Sequence, residues 1–183
     1  VNIPARVAAA ALLFLTVSCG ASAPGPVTST DSADPGDIPD NQAFVPFTSA
    51  DGLFTVSVPE GWARRPDGSA TVFSDKLNSV RIEEISAATP PDASEIPTLS
   101  ATVPGFKDGK ATTVERKAGS VLEITYGATS AADPVTGKTA AQSVERYEYW
   151  RAGKTAVVTL AGAVGADNVD PWHTITDSFQ WKQ

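Results

Sequence analysis

The chain has 183 residues, enough for one domain with appendages. Its net charge of -7 excludes the Lys/Arg surplus that non-specific nucleic-acid binding needs to neutralise phosphates. With 42% hydrophobic residues, 14 Pro and 14 Gly, long irregular stretches must accompany any packed core.

The chain opens on VNIPAR, carrying Arg6 as its one charge, followed by the unbroken apolar run Val7–Val17. There is no methionine, position 1 included, so the chain begins at an alternative valine-type start or is truncated. The run is too short for the roughly 20 residues that span a hydrocarbon core, and it fits the apolar region of a signal peptide. Ser18, Cys19 and Gly20 follow. The arrangement resembles a bacterial lipoprotein signal peptide, with Thr16 standing where an aliphatic residue is usual and Leu15 one position earlier. The resemblance implies cleavage before Cys19, so that residues 1–18 are a signal peptide and the Cys19 thiol takes a lipid. Cys19 is the one cysteine of the chain, which excludes an intrachain disulfide, and a single histidine offers little to a Cys-based metal site. Lipid anchoring is therefore the expected fate of that thiol, with about 0.8 kcal/mol per buried methylene holding the chain to the membrane.

Residues 19–43 are rich in Ala, Ser, Thr, Pro, Gly and Asp. They bury too little surface to offset chain entropy and read as a disordered linker. Its root-mean-square span is roughly 25–30 Å.

From residue 44 the pattern changes to a domain, 44–183. In LFTVSVPEGW the apolar residues Phe54, Val56 and Val58 alternate with Thr55 and Ser57, a half-buried strand ended by Pro59-Glu60-Gly61. SATVFSD and SVRIEEIS predict two strands joined around residues 75–78. Four prolines between 89 and 106 leave room for a short helix between Asp92 and Thr102. KATTVERKAG and SVLEITYGATS predict a hairpin turning at Ala118–Gly119. QSVERYEYWR and KTAVVTLAG predict another at Ala152–Gly153. Asp170 as N-cap and Pro171 as first residue predict a closing helix with Trp172, Ile175 and Phe179 on one stripe. Strands in sequence with few helices give an α+β fold: an antiparallel β-sheet flanked by a few helices.

Three stretches together, FTVSVPEGW, YEYWRAGKTAVVTLAGA and DNVDPWHTITDSFQW, resemble PsbP-like domains in order and spacing. The whole of 44–183 is similar to the PsbP-like lipoproteins of actinobacterial envelopes, the LpqN-type group. The resemblance implies a central antiparallel sheet between helices, and binding or assembly work on the extracytoplasmic face of the cell membrane rather than catalysis. The Pro-rich stretch 89–106 replaces what is often a longer helix in the family. PsbP domains of photosystems support a metal cluster; no residue here matches such a site, and no cofactor is expected.

Other motifs weigh less. Ala132–Thr139 fits a loose phosphate-loop pattern, but it lacks a helix after it and reads as a hairpin turn, so no nucleotide is expected. His173 and Asp177 can touch on one helix face while Ser178 points about 140° away from His173, which excludes a triad of those three. Glu83, Glu84, Glu145 and Glu148 suggest the paired carboxylates of a glycosidase, yet solvated strand faces account for them. An envelope hydrolase built on such carboxylates or on a Ser/His pair is the alternative to a binding role. Asp167 and Asp170 lack the rest of a calcium loop. The aromatic residues are the remaining candidates. Most of them read as core, Trp62 and Trp172 as helix-on-sheet packing; the alternative is that Tyr147 and Tyr149, which share a strand face opposite Trp150, form with Trp62 a face for an envelope protein, lipid or glycan.

Overall fold

The computed structural model describes residues 36–183, so the expected signal peptide, Cys19 and most of the expected linker lie outside the described residues. Ten strands and two helices follow in order: β1 Phe44–Thr48, β2 Phe54–Pro59, β3 Ala63–Asp67, β4 Ala70–Asp75, β5 Asn78–Ser86, α1 Glu95–Thr102, β6 Lys107–Arg116, β7 Gly119–Thr129, β8 Ala141–Arg151, β9 Lys154–Ala163, α2 Val169–Asp177 and β10 Gln180–Trp181. They build two antiparallel sheets, one ordered β1-β2-β10 and one ordered β3-β4-β5-β9-β8-β7-β6. The large sheet is two meanders joined at β5 and β9, the α1 segment carrying the chain from the β3–β5 meander to its far edge at β6. The expected α+β architecture is the one observed.

The hairpins form where local chemistry places them. Between β8 and β9, Ala152 and Gly153 both take positive φ, 49° and 87°, the turn geometry that matches the twist of paired strands. Strand alternation then divides the large sheet into two faces. Val80, Ile82, Val121, Tyr147, Tyr149, Ala156, Val158 and Leu160 point to one side, where Phe54, Val56 and Val58 of the small sheet and Trp172, Ile175 and Phe179 of the C-terminal segment close the main core. Ile124, Tyr126, Ala128, Val144 and Ala161 point to the other and pack under Leu99, Ile96 and Val103 of the α1 region.

Several details differ from the expected elements. The closing helix starts at Val169 with Asn168 in the capping position, and Asp170 lies in the first turn. The Asn168 side chain is engaged elsewhere: it accepts from Ile38 N at 2.8 Å and donates to Gly36 O at 3.2 Å and to Asn78 Oδ1 at 3.1 Å. Ile38 is 3% exposed, so packing begins before the expected boundary at 44. One isoleucine among Pro and Asp leaves no periodicity to read. Gly162 makes this docking possible. A Cβ there would lie 2.7 Å from Asn168 Nδ2 and 2.8 Å from Asn78 Oδ1, so only a bare backbone lets the two asparagines approach β9. The outer strands β1 and β3 contain Pro46 and Pro66, which sheet edges tolerate because no ladder partner needs the missing N–H.

Candidate functional site

The structure corrects the expected aromatic face. Tyr147 and Tyr149 are 0% and 3% exposed, because α2 and the small sheet cover the side they share. Tyr149 stacks on Phe179 with centroids 3.8 Å apart and donates its hydroxyl to Thr176 O at 2.9 Å. Trp62 is half-buried at the margin of the same core. Tyr147 and Tyr149 therefore pack the interior and do not line a groove, while Trp62 packs against the edge of that core.

The Tyr147 hydroxyl lies 2.6 Å from Glu123 Oε1 and 2.7 Å from Glu145 Oε2, and it accepts from Arg116 Nη2 at 2.9 Å. One hydroxyl donates one proton, so the second carboxyl contact needs a proton of its own. Burial raises the Glu145 carboxyl, the Tyr147 hydrogen bond lowers it, and the neighbouring Glu123 charge adds to the rise. This network ties β6, β7 and β8 together, with Arg116 Nε buried and unpartnered within it.

The other singled-out groups are also accounted for locally. Ser178 Oγ donates to Ile175 O at 2.6 Å and accepts from Ser57 N at 2.7 Å, which joins the end of α2 to β2. Its neighbour Asp177 pairs with Lys117 at 3.9 Å, and His173 is exposed. Asp133 Oδ1 accepts from Val135 N, Thr136 N and Thr136 Oγ1, turning the loop between β7 and β8. The phosphate-loop match therefore lies in a hairpin connection with a strand after it. A cleft of about 180 Å³ between the small sheet and β4–β5 is floored by Phe47, Phe54 and Ile82 and rimmed by Asp51 and Glu84. A hydrogen bond with the Glu84 carboxyl holds Asp51 down to about 2, and Lys154 pairs with Glu84 Oε1 at 2.5 Å, while Glu84 Oε2 is buried without a hydrogen-bond partner.

The opposite face of the large sheet is different. On β8, alternation places Arg146, Glu148 and Trp150 on the side away from the tyrosines. On β5, Arg81 and Glu83 stand on that same side, paired in register with Thr159 and Val157 of β9, which in turn face Arg146 and Glu148. A chain of charges results. Arg81 Nε donates to Asp67 Oδ2 at 3.2 Å, and its Nη1 pairs with Glu83 Oε1. Arg146 Nη1 lies 3.6 Å from Glu83 Oε1, and Arg146 Nε donates to Glu148 Oε1 at 2.5 Å. The last member is the most buried: the Glu148 side chain is 0% exposed, and Oε2 has no hydrogen-bond partner. Burial pushes its carboxyl above the ordinary range, with Arg146 opposing and the charges of Glu95 and Glu83 adding to the rise. The solvated strand face expected for Glu148 is thus overturned.

Glu148 sits in the lining of a groove of about 290 Å³ whose walls include Pro90, Pro91, Thr113, Leu122 and Trp150. The Pro-rich segment is fixed over β8 by Trp150 Nε1, which donates to Ala87 O at 2.9 Å, and by Ala87 N, which donates to Gly153 O at 3.0 Å. Sequence reasoning named Glu148 as one of four carboxylates on solvated strand faces and placed Trp150 opposite the tyrosines. It missed that the two meet. The available signal was the strand VERYEYWR itself, where Val144 and Trp150 bracket Arg146 and Glu148 on one face. Among the described residues, no group of three or more His, Cys, Asp or Glu could hold a metal ion, and no helix is long and apolar enough to cross a membrane.

No protein-family model matches the chain, and no curated protein matches it. Among solved structures it is similar to a Bacteroides thetaiotaomicron protein, at 12% identity and a TM-score of 0.51 over 75% of this chain. The match spans 48% of that longer chain. It is also similar to LpqN of Mycobacterium tuberculosis, described as involved in cell envelope biogenesis, at 16% identity and a TM-score of 0.42, covering 79% of this chain and 93% of that one. A further similar structure is the cyanobacterial PsbP of Synechocystis, at 9% identity and a TM-score of 0.45, covering 77% and 94%. These likenesses concern the fold alone.

Proposed function

We propose that this protein is a lipid-anchored, extracytoplasmic binding module of the LpqN-type kind, doing binding or assembly work in the cell envelope and taking its ligand in the groove over β7 and β8. One observation carries the site: a fully buried carboxylate, Glu148, with one oxygen unpartnered, in the lining of a groove walled by Trp150, Leu122 and two prolines. Leaving a buried charged acceptor unsatisfied is costly, and such groups mark sites where something else completes the set. The anchor reading is supported by the apolar run Val7–Val17 followed by Cys19. The hydrolase alternative would need two free carboxylates across one cleft. Glu84 and Glu148 point to opposite faces of the sheet, while Glu83 is shared by two arginines and Glu145 is held by Tyr147.

Growth with an alkyne-tagged palmitate tests the anchor. The wild type is expected to take the label and Cys19→Ala to lose it; equal labelling, or none in either, ends that reading. Detergent-solubilised envelope extract added to ¹⁵N-labelled protein tests the groove. The Trp150 indole N–H resonance is expected to move, and a resonance that stays put while others shift would place binding elsewhere.

A further inference from the structure

The charges beside the groove do not balance. Counted along the contacts, Asp67, Glu83 and Glu148 contribute three carboxylates, while Arg81 and Arg146 contribute two guanidiniums. Both arginines are shared, and the chain has a carboxylate at each end: Asp67, half exposed to water, and a buried end without that compensation. That end is Glu148, the buried charged side chain of this face, whose Oε2 lacks any donor. Glu95 at the start of α1 adds further negative potential at the same carboxyl. A neutral hydroxyl would satisfy the hydrogen bond and leave the charge uncompensated. A cation with N–H donors would satisfy both. The rest of the groove suits what such a cation would bring with it. Trp150 offers an indole in a half-buried position, a surface that attracts ammonium groups, and Pro90, Pro91 and Leu122 offer apolar wall to an alkyl stem.

We infer that the groove binds an organic ammonium ion, its N–H groups donating to Glu148 and its alkyl stem lying against Trp150, Leu122 and the two prolines. The same chemistry is offered by a free alkylamine and by the lysine side chain of a protein partner. The inference rests on the groove being the binding site and specifies the class of ligand it takes. Occupation supplies the missing positive charge.

The full-length protein in detergent is titrated with n-hexylamine, with hexan-1-ol, and with the acetylated amides of lysine and norleucine, while the Trp150 indole N–H resonance is followed and assigned through Trp150→Phe. The ammonium probes are expected to shift that resonance and to bind about 30-fold or more tightly than their neutral counterparts. Glu148→Gln keeps the shape of the side chain and is expected to remove the preference. If lysine amide binds and hexylamine does not, a protein partner is the source; the reverse points to a free amine. Equal binding of hexanol and hexylamine would overturn the ammonium inference while leaving the groove as the binding site. A Trp150 resonance that responds to neither these probes nor envelope extract would overturn both. The comparison of charged with neutral probes needs no variant, so a poorly folding Glu148→Gln would not rescue the idea.

Discussion

The two faces of the large sheet are built from the same strands and are physically unlike. The face toward α2 is covered by a second sheet and a helix, and its core is aromatic and aliphatic: Phe54, Tyr149 and Phe179 form a continuous stack. The face toward α1 is covered by a helix of eight residues and a Pro-rich segment. Beside a small apolar cluster it holds two arginines and two glutamates, and it keeps an open groove. The first face gives the domain its stability, since apolar burial is insensitive to charge state. The second keeps a buried carboxylate beside an open groove.

Substitutions can break this contrast. The largest loss is expected from Phe179→Ala on the covered face, where a fully buried ring contacts three aromatic neighbours. Denaturant unfolding should show about 3–5 kcal/mol less stability. On the charged face, Arg146→Ala leaves Glu148 buried without its partner and is expected to cost about 3 kcal/mol in the same measurement; a loss below about 1 kcal/mol would mean that the network is solvated. Asn168→Ala removes the side chain that holds Gly36 and Ile38 and is expected to cost about 1–3 kcal/mol, with faster amide exchange at Ile38 as its local signature. The smallest effect concerns pH. Burial raises the Glu148 carboxyl above its ordinary 4.5, so the folded state binds that proton more tightly than the unfolded chain. The stabilisation is complete below the ordinary value and is lost as pH rises through the raised one. Glu148→Gln should therefore be the less stable variant at low pH by little or nothing, and should gain on the wild type as pH rises toward neutrality. Parallel stability–pH curves would show that the Glu148 carboxyl binds its proton equally well in the folded and unfolded chain.

Much of the covered face is legible in the sequence. Phe54, Val56 and Val58, and the stripe Trp172, Ile175 and Phe179, follow from periods that one segment carries by itself, and the hairpins follow from their turn residues. Glu148 is visible there as a carboxylate on a strand but not as a buried one. Its neighbours in sequence are Tyr147 and Tyr149, while its neighbours in space are Arg146, Leu122 and a segment some sixty residues earlier, which is where Trp150 finds Ala87. The tyrosines mislead for the same reason. Alternation places them on one face together and is silent on whether helix or water lies above.

The sequence by itself determined the α+β class, the pairing of successive strands at β4–β5, β6–β7 and β8–β9, and which residues share a face, because each is a property of a short stretch and its turn. The tertiary structure alone decided which face of the large sheet became core and which kept a groove. A strand such as Lys154–Ala163, apolar on both sides, has no preferred outside. That choice depends on where α1, α2, the small sheet and the residues around Ile38 come to rest, and contacts between distant segments are not written in any one of them.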